Sequence, residues 1–339
     1  MNNDFLIWLR SYLTGRSMSV KIGDYVSSPF TVWSGVPQGS HLGPFLFLLY
    51  MNDVNCTLKC LKLSYADDLK LYFQIKQRQD AVFLQQQLEA FAVWCSLNRM
   101  SLNVSKCSVI SFSRKKSMFH FDYALGGVKL KRESTVKDLG VLLDSKLTFK
   151  DHVAYVVAKA SSQLGFLFRF AKSFKDIYCL KSLYCSIVRP ILEYSAVVWA
   201  PYYANEIQRI ESVQRKFVRF ALRHLRWRNP IVLPSYVSRC QLINLEPLSA
   251  RRNVAKACFV GDLLQANIDC PALLGMLQIN TRRRSLRSHP FLNLPPARTN
   301  YSQHEPIRDM SRLFNTCYFV FDFNVSRDVN KRSFKRVFC

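Results

Sequence analysis

Two adjacent aspartates, Asp67 and Asp68, interrupt an alternating apolar pattern, and no other feature limits the fold of this chain as much. Leu61, Leu63 and Tyr65 alternate on one side of the pair, and Leu69, Leu71 and Phe73 on the other. A period of two belongs to strands, so the pattern predicts a strand, a tight turn holding both carboxylates, and a second strand. Like charges this close repel unless something neutralises them. A divalent cation does so, and two carboxylates with water and phosphate oxygens completing the shell suit magnesium. Two such ions about 3.5–4 Å apart would activate a hydroxyl nucleophile and stabilise a departing pyrophosphate. Taken alone, the doublet reads more simply as a solvated turn, because turns favour Asp for local hydrogen bonding.

Glycine usage narrows this. The chain has 11 glycines in 339 residues, and five of them, Gly15, Gly23, Gly35, Gly39 and Gly43, fall in the first 43. Special backbone geometry is therefore concentrated just ahead of the acidic hairpin. Gly35-Val36-Pro37-Gln38-Gly39-Ser40 is followed by Leu42-Gly43-Pro44 and an apolar, helix-like run to Met51. Two glycines let the backbone approach a ligand, and Gln38 offers an amide donor and acceptor to a base or sugar edge.

The charge points to a polyanionic partner. Lys and Arg number 48 against 23 Asp and Glu, a net charge of +25, while 49% of residues are hydrophobic, which excludes a disordered basic tail. Residues 1–150 carry +8 and 151–339 carry +17, so the later part faces the polyanion more strongly. The longest apolar run, Phe45 to Met51, is far below the roughly 20 residues of a spanning helix, so no membrane partner is expected. No secretory signal is visible, and 11 scattered cysteines suit a reduced, intracellular protein of the cytoplasm or nucleus. Cys56 and Cys60 lack a second pair at zinc-finger spacing, and the six histidines form no hydrolase arrangement.

Helical periodicity follows the hairpin. Ala81, Leu84, Leu88, Phe91 and Cys95 predict a helix, Val109 and Ile110 a strand, and Val141 to Leu143 another strand. From Asp151, an acidic helix start, Val153, Val156, Val157, Ala160, Leu164 and Leu167 mark one face. A second helix is expected over Ile177 to Val188, interrupted at Pro190, and a third over Ala204 to Trp227. In the third, Ile207, Ile210, Val213, Phe217 and Ala221 share one side, and Arg215, Lys216, Arg219, Arg223 and Arg226 the other. The cationic side and the cluster Arg282, Arg283, Arg284 and Arg287 could hold phosphates without sequence readout, although either could be a solvated surface. Tyr184, Trp199, Tyr202 and Tyr203 could stack on bases, but aromatics in such apolar segments are more often core. Residues 280–309 are rich in Arg, Pro, Ser and Asn without periodicity and read as a linker-like loop.

Taken in order, these motifs resemble a known family. GVPQGS with LGP, then YADD at Tyr65 to Asp68, look like the reverse transcriptase of non-long-terminal-repeat, LINE-type retrotransposons, most like jockey-related elements. Trp8 to Arg16, Ser101-Leu102-Asn103 with Lys106, Leu139-Gly140-Val141 with Leu147, Arg189 to Tyr194, Val198-Trp199, Glu211 to Phe217, Phe291 to Tyr301 and Phe334 to Arg336 resemble further segments, so the likeness covers nearly the whole chain. It implies an α+β fold: a partial right-hand polymerase palm, an antiparallel sheet with helices, at 1–150; a helical thumb-like region at 151–230; and a basic C-terminal region at 231–339.

By the same resemblance Asp67 is the principal ligand of Mg2+ (or Mn2+) and Asp68 its neighbour, with Tyr65 and Ala66 against the primer end. Gly35, Pro37, Gln38, Gly39 and Ser40 would position template and incoming deoxynucleotide, Leu139 and Gly140 would form the primer grip, and Lys106 would sit near the leaving pyrophosphate, unless it is a solvated strand-end lysine. The partners implied are an RNA template and a DNA primer, with no protein partner evident. The family's third metal-binding carboxylate lies upstream of the Trp8 segment in an Ala-Phe-Asp-like motif, and neither Asp4 nor Asp53 sits in a matching context; Asp53 reads as a helix end or cap. The resemblance therefore implies a chain truncated at its N-terminal side within the polymerase domain and inactive alone. Outside catalysis, the alternatives are a nucleic-acid-binding remnant or a pseudogene product whose Phe45, Leu48 and Leu49 lack core partners.

Overall fold

The computed structural model describes residues 3–115, 119–171, 174, 176–226, 235–280 and 290–339, with the side chains of 224–226 excepted. Helices and six two-stranded sheets among these residues make the fold α+β, as expected. The chain divides into two compact units, residues 1–110 with 115–133, and residues 111–114 with 134–339.

The first unit opens with the helix Asn3–Leu13 and a nested hairpin, in which Arg16–Met18 pairs with Phe30–Val32 and Lys21–Ile22 with Tyr25–Val26. The apolar run forms the helix Leu42–Met51, followed by the short helix Val54–Thr57. Asp53 takes the N-cap position of the second helix, as the cap reading expected, although its side chain makes no capping hydrogen bond. The acidic hairpin pairs Leu61–Tyr65 with Asp68–Tyr72. Next comes the helix Arg78–Leu97, whose start is set by a capping box: the Asp80 carboxylate accepts from the backbone N–H groups of Lys76 and Gln77 at 2.7 and 2.9 Å. Ala81, Phe91, Trp94 and Cys95 of this helix form the core with Val54, Leu58, Tyr123, Leu125 and Leu130.

Register decides which hairpin residues reach that core. Leu71 faces Lys62 and Leu69 faces Ser64 across the ladder, and both leucines pack on the core, whereas Leu61, Leu63 and Tyr65 share the opposite face and are 58–66% exposed. Phe45, Leu48 and Leu49 are likewise 56, 59 and 51% exposed. The two apolar sets read from the sequence thus serve opposite faces of one ribbon, and only Leu69 and Leu71 pack on the core, while Phe73 beyond the strand is exposed.

The second unit begins with the hairpin Thr135–Asp138 and Val141–Asp144 and continues into the helix Lys150–Phe170. Its start is acidic, as expected. Asp151 lies inside the first turn, Phe149 occupies the N-cap with a left-handed φ of 56°, and Asp144 orders the approach by accepting from the N–H groups of Lys146, Thr148 and Phe149 at 3.0, 2.8 and 2.7 Å. The helix Ile177–Leu183 is not broken at Pro190. It widens into a π turn, Tyr184–Val188, and resumes as Arg189–Glu193, with Pro190 in the first turn of the resumed helix.

The helix Ala204–Arg226 then packs Ile210, Val213, Phe217 and Ala221, all fully buried, against Leu164, Tyr184 and Leu192; its expected last residue, Trp227, lies outside the described residues. A second core gathers Val254, Ala257 and Leu263 of the helix Leu248–Leu264 with Leu292, Met310, Phe314 and Phe334. In the stretch 280–309, Leu292 is fully buried, Thr299 caps the short helix Asn300–Gln303, and Pro306 opens another to Phe314. All 11 cysteines are free thiols, and no described helix is long and apolar enough to cross a membrane.

Candidate functional site

The hairpin tip follows from backbone geometry. Tyr65 pairs with Asp68, which leaves Ala66 and Asp67 as a two-residue connection, with Ala66 at a left-handed φ of 52°. Asp68 is therefore the first ladder residue and not part of the turn, and it shares the exposed face with Tyr65 and Lys70. Both carboxylates are exposed, and neither has a hydrogen bond or ion pair among the described residues. Free, adjacent, hard oxygen donors suit a magnesium or manganese ion. No group of three or more His, Cys, Asp or Glu able to hold a metal occurs among the described residues, so the doublet supplies only part of a ligand set.

The glycine loop belongs to the same unit. Gly35 and Gly39 both adopt left-handed φ, 77° and 81°, which is the geometry the sequence demanded there. Ser40 turns inward: its hydroxyl donates to the Pro37 carbonyl at 2.7 Å and accepts from the Gly43 N–H at 3.1 Å, while Gln38 is exposed. A Cβ on Gly43 would lie 3.2 Å from that hydroxyl and 3.3 Å from the Pro37 carbonyl, so a side chain there would crowd the loop against the following helix.

Sequence reasoning missed Arg16. Its guanidinium donates to the Leu13 carbonyl at 3.0 Å, to Ser34 at 3.1 Å and to Gly35 at 2.6 Å, tying the end of the first helix to the start of the loop. The only available signal was its place in the Trp8 to Arg16 segment; the contact spans 19 residues and leaves no periodic trace. Lys106 ends a 3-10 turn, Val104–Lys106, and is exposed.

Leu139 and Gly140 lie in the second unit, as the two-residue loop of the hairpin closed by Asp138 and Val141. Both have positive φ, 43° and 87°, as such tight loops require. Tyr194 fixes the loop: its hydroxyl donates to the Leu139 carbonyl at 2.9 Å, and its ring would stand 3.2 Å from a Cβ on Gly140.

On the helix Ala204–Arg226 the cationic face is narrower than expected. Lys216, Arg219 and Arg223 are exposed, spaced as one stripe. Arg215 leaves that face, because its guanidinium lies 5.0 Å from the Tyr236 ring and its Nε is buried. The side chain of Arg226 and the cluster Arg282, Arg283, Arg284 and Arg287 lie outside the described residues.

Behind the stripe, a polar network holds the helix in place. Gln214 accepts from the Tyr184 hydroxyl and donates to the Tyr236 hydroxyl, each at 3.0 Å, and Tyr236 donates to Glu211 at 2.7 Å. Burial, reinforced by Glu211, raises the Tyr236 hydroxyl well above its ordinary value, so it stays a donor.

Residues 2–143 match the reverse transcriptase (RNA-dependent DNA polymerase) family, a span that contains the hairpin and the glycine loop. This segment belongs to the reverse transcriptase family. The chain is 29% identical over 219 residues to a probable RNA-directed DNA polymerase from transposon X-element of Drosophila melanogaster, covering 62% of this chain and 24% of that protein. It is 30% identical over 224 residues to a probable RNA-directed DNA polymerase from transposon BS of the same species, covering 62% and 25%. It is 27% identical over 227 residues to the RNA-directed DNA polymerase from mobile element jockey, again of D. melanogaster, covering 62% and 24%. The chain thus spans about a quarter of the length of the curated relatives it matches. No solved structure matches it.

Proposed function

We propose that the chain contributes the Tyr65 to Asp68 hairpin of an RNA-directed DNA polymerase that extends a DNA primer on an RNA template. The observation that carries this is the pair of free, exposed carboxylates at a hairpin tip within the reverse transcriptase segment. Asp67 and Asp68 hold divalent metal, and Tyr65 and Ala66 meet the primer end. Gln38 contacts template or deoxynucleotide from a loop that Gly35, Pro37, Gly39 and Ser40 shape, and Arg16 positions that loop. Leu139 and Gly140 grip the primer, Lys106 offsets charge near the pyrophosphate, and Lys216, Arg219 and Arg223 hold the nucleic-acid backbone. When bound, the metal supplies Lewis-acid activation of the primer hydroxyl and charge stabilisation of the leaving group. Two carboxylates leave that metal under-coordinated by protein, so the chain alone does not extend a primer. Incubation with a primed RNA template, deoxynucleotides and Mg2+ or Mn2+ tests this: no product is expected, and extension that disappears in Asp67→Asn overturns it.

A second reading, nucleic-acid binding without catalysis, is favoured by the exposed stripe of Lys216, Arg219 and Arg223.

A further inference from the structure

Four chain segments meet on the second unit around three tyrosines. Arg114 donates through Nε and Nη2 to the Lys146 carbonyl at 3.1 and 2.8 Å, which holds its guanidinium 3.5 Å from the centre of the Tyr301 ring. The same guanidinium lies beside the Tyr202 hydroxyl. The Tyr202 ring lies parallel to the His304 imidazole at 4.2 Å and also 4.2 Å from the Tyr203 ring, while the Lys150 ammonium stands 5.8 Å from Tyr203. Among the four aromatics that the sequence offered for stacking, Tyr184 and Trp199 are 0 and 1% exposed and belong to the core. Tyr203 is 42% exposed, so the core reading fails where these cations gather.

We propose that Arg114, Lys150, Tyr202, Tyr203, Tyr301 and His304 form a stacking site for an unpaired nucleic-acid strand, in addition to the cationic stripe. The proposal rests on the reading that this chain binds nucleic acid. Base faces are available to aromatic rings only when the strand is unpaired, and rings interleaved with cations match bases interleaved with phosphates. Of the four carboxylates in these segments, two are engaged elsewhere. Asp309, 3.9 Å from His304, is engaged by Lys256 at 2.5 Å and by Arg312, and Asp144 is occupied by backbone donors; Asp151 and Glu305 are exposed. Burial, with Arg312 and Lys256, pushes the His304 imidazole down, so it presents a neutral ring at physiological pH.

Binding of the full chain to labelled polyuridylate, polydeoxythymidylate and a blunt DNA duplex, at one fixed salt concentration, tests the site. Tyr203→Ala is expected to weaken binding to the unpaired probes about five-fold or more, since one stacked base is worth about 1–3 kcal/mol, with duplex affinity within about two-fold of wild type. Tyr203→Phe keeps the ring and is expected to retain affinity. The larger loss on polyuridylate assigns the site to RNA, and on polydeoxythymidylate to single-stranded DNA. Unchanged binding of Tyr203→Ala to both unpaired probes, or equal loss on all three, overturns the proposal. If Lys216→Ala/Arg219→Ala/Arg223→Ala weakens binding while Tyr203→Ala does not, only this inference falls. If the wild-type chain binds no probe, the nucleic-acid reading falls with it.

Discussion

Asp144 shows how much one side chain organises. Burial alone would raise its carboxyl, but N–H donation from Thr148, Phe149 and Lys146 outweighs that and holds it below its ordinary value of 3.8. A depressed carboxylate contributes stability that is complete above its unfolded pKa and is lost as pH falls through the folded one. Asp144→Asn is therefore expected to destabilise the protein by about 1–2 kcal/mol at pH 7 in urea denaturation. The gap between variant and wild type should narrow below about pH 4; a gap that stays constant down to pH 2.5 would refute this role. Asp67 and Asp68 are the opposite kind of acid, exposed and without partners, and nothing in the fold requires two of them side by side. That contrast separates a carboxylate that builds a loop from a pair left for a ligand.

Local rules carried the acidic hairpin and the helices Arg78–Leu97, Lys150–Phe170 and Ala204–Arg226. The acidic hairpin was legible because strand period and turn chemistry agreed, and the helix Arg78–Leu97 because its apolar residues recur at helical spacing. Local rules failed where the deciding contact was distant. Pro190 reads as a break, yet a π turn absorbs it, and Arg215 reads as part of a cationic face until Tyr236, 21 residues later in the chain, draws it aside. Arg16 and Tyr194 were illegible for the same reason, since each acts on a loop that periodicity does not connect to it.

For the helix Ala204–Arg226 the consequence is measurable. If Lys216, Arg219 and Arg223 contact phosphates, replacing all three with Ala should reduce the slope of log affinity against log salt by about 2–3. A slope unchanged by the triple substitution would make this stripe an ordinary solvated face.

At the scale of the molecule, the charge and the apolar surface have different origins. The net charge of +25 is weighted toward residues 151–339, where the second unit holds the stripe and the tyrosine cluster. The first unit instead exposes Leu61, Leu63 and Tyr65 on the same ribbon face as Asp68, beside no other strand among the described residues. A two-stranded ribbon is marginal by itself, and its stability comes from Leu69 and Leu71 on the core. The central claim is that the tip of this ribbon is a metal-binding element of polymerase type. Electron paramagnetic resonance titration of Mn2+ into the full chain, compared with Asp67→Asn/Asp68→Asn, tests it most directly. The account predicts that the wild-type chain binds Mn2+ and that the double variant loses that binding while keeping its fold by circular dichroism. Identical Mn2+ binding by the two proteins would contradict it.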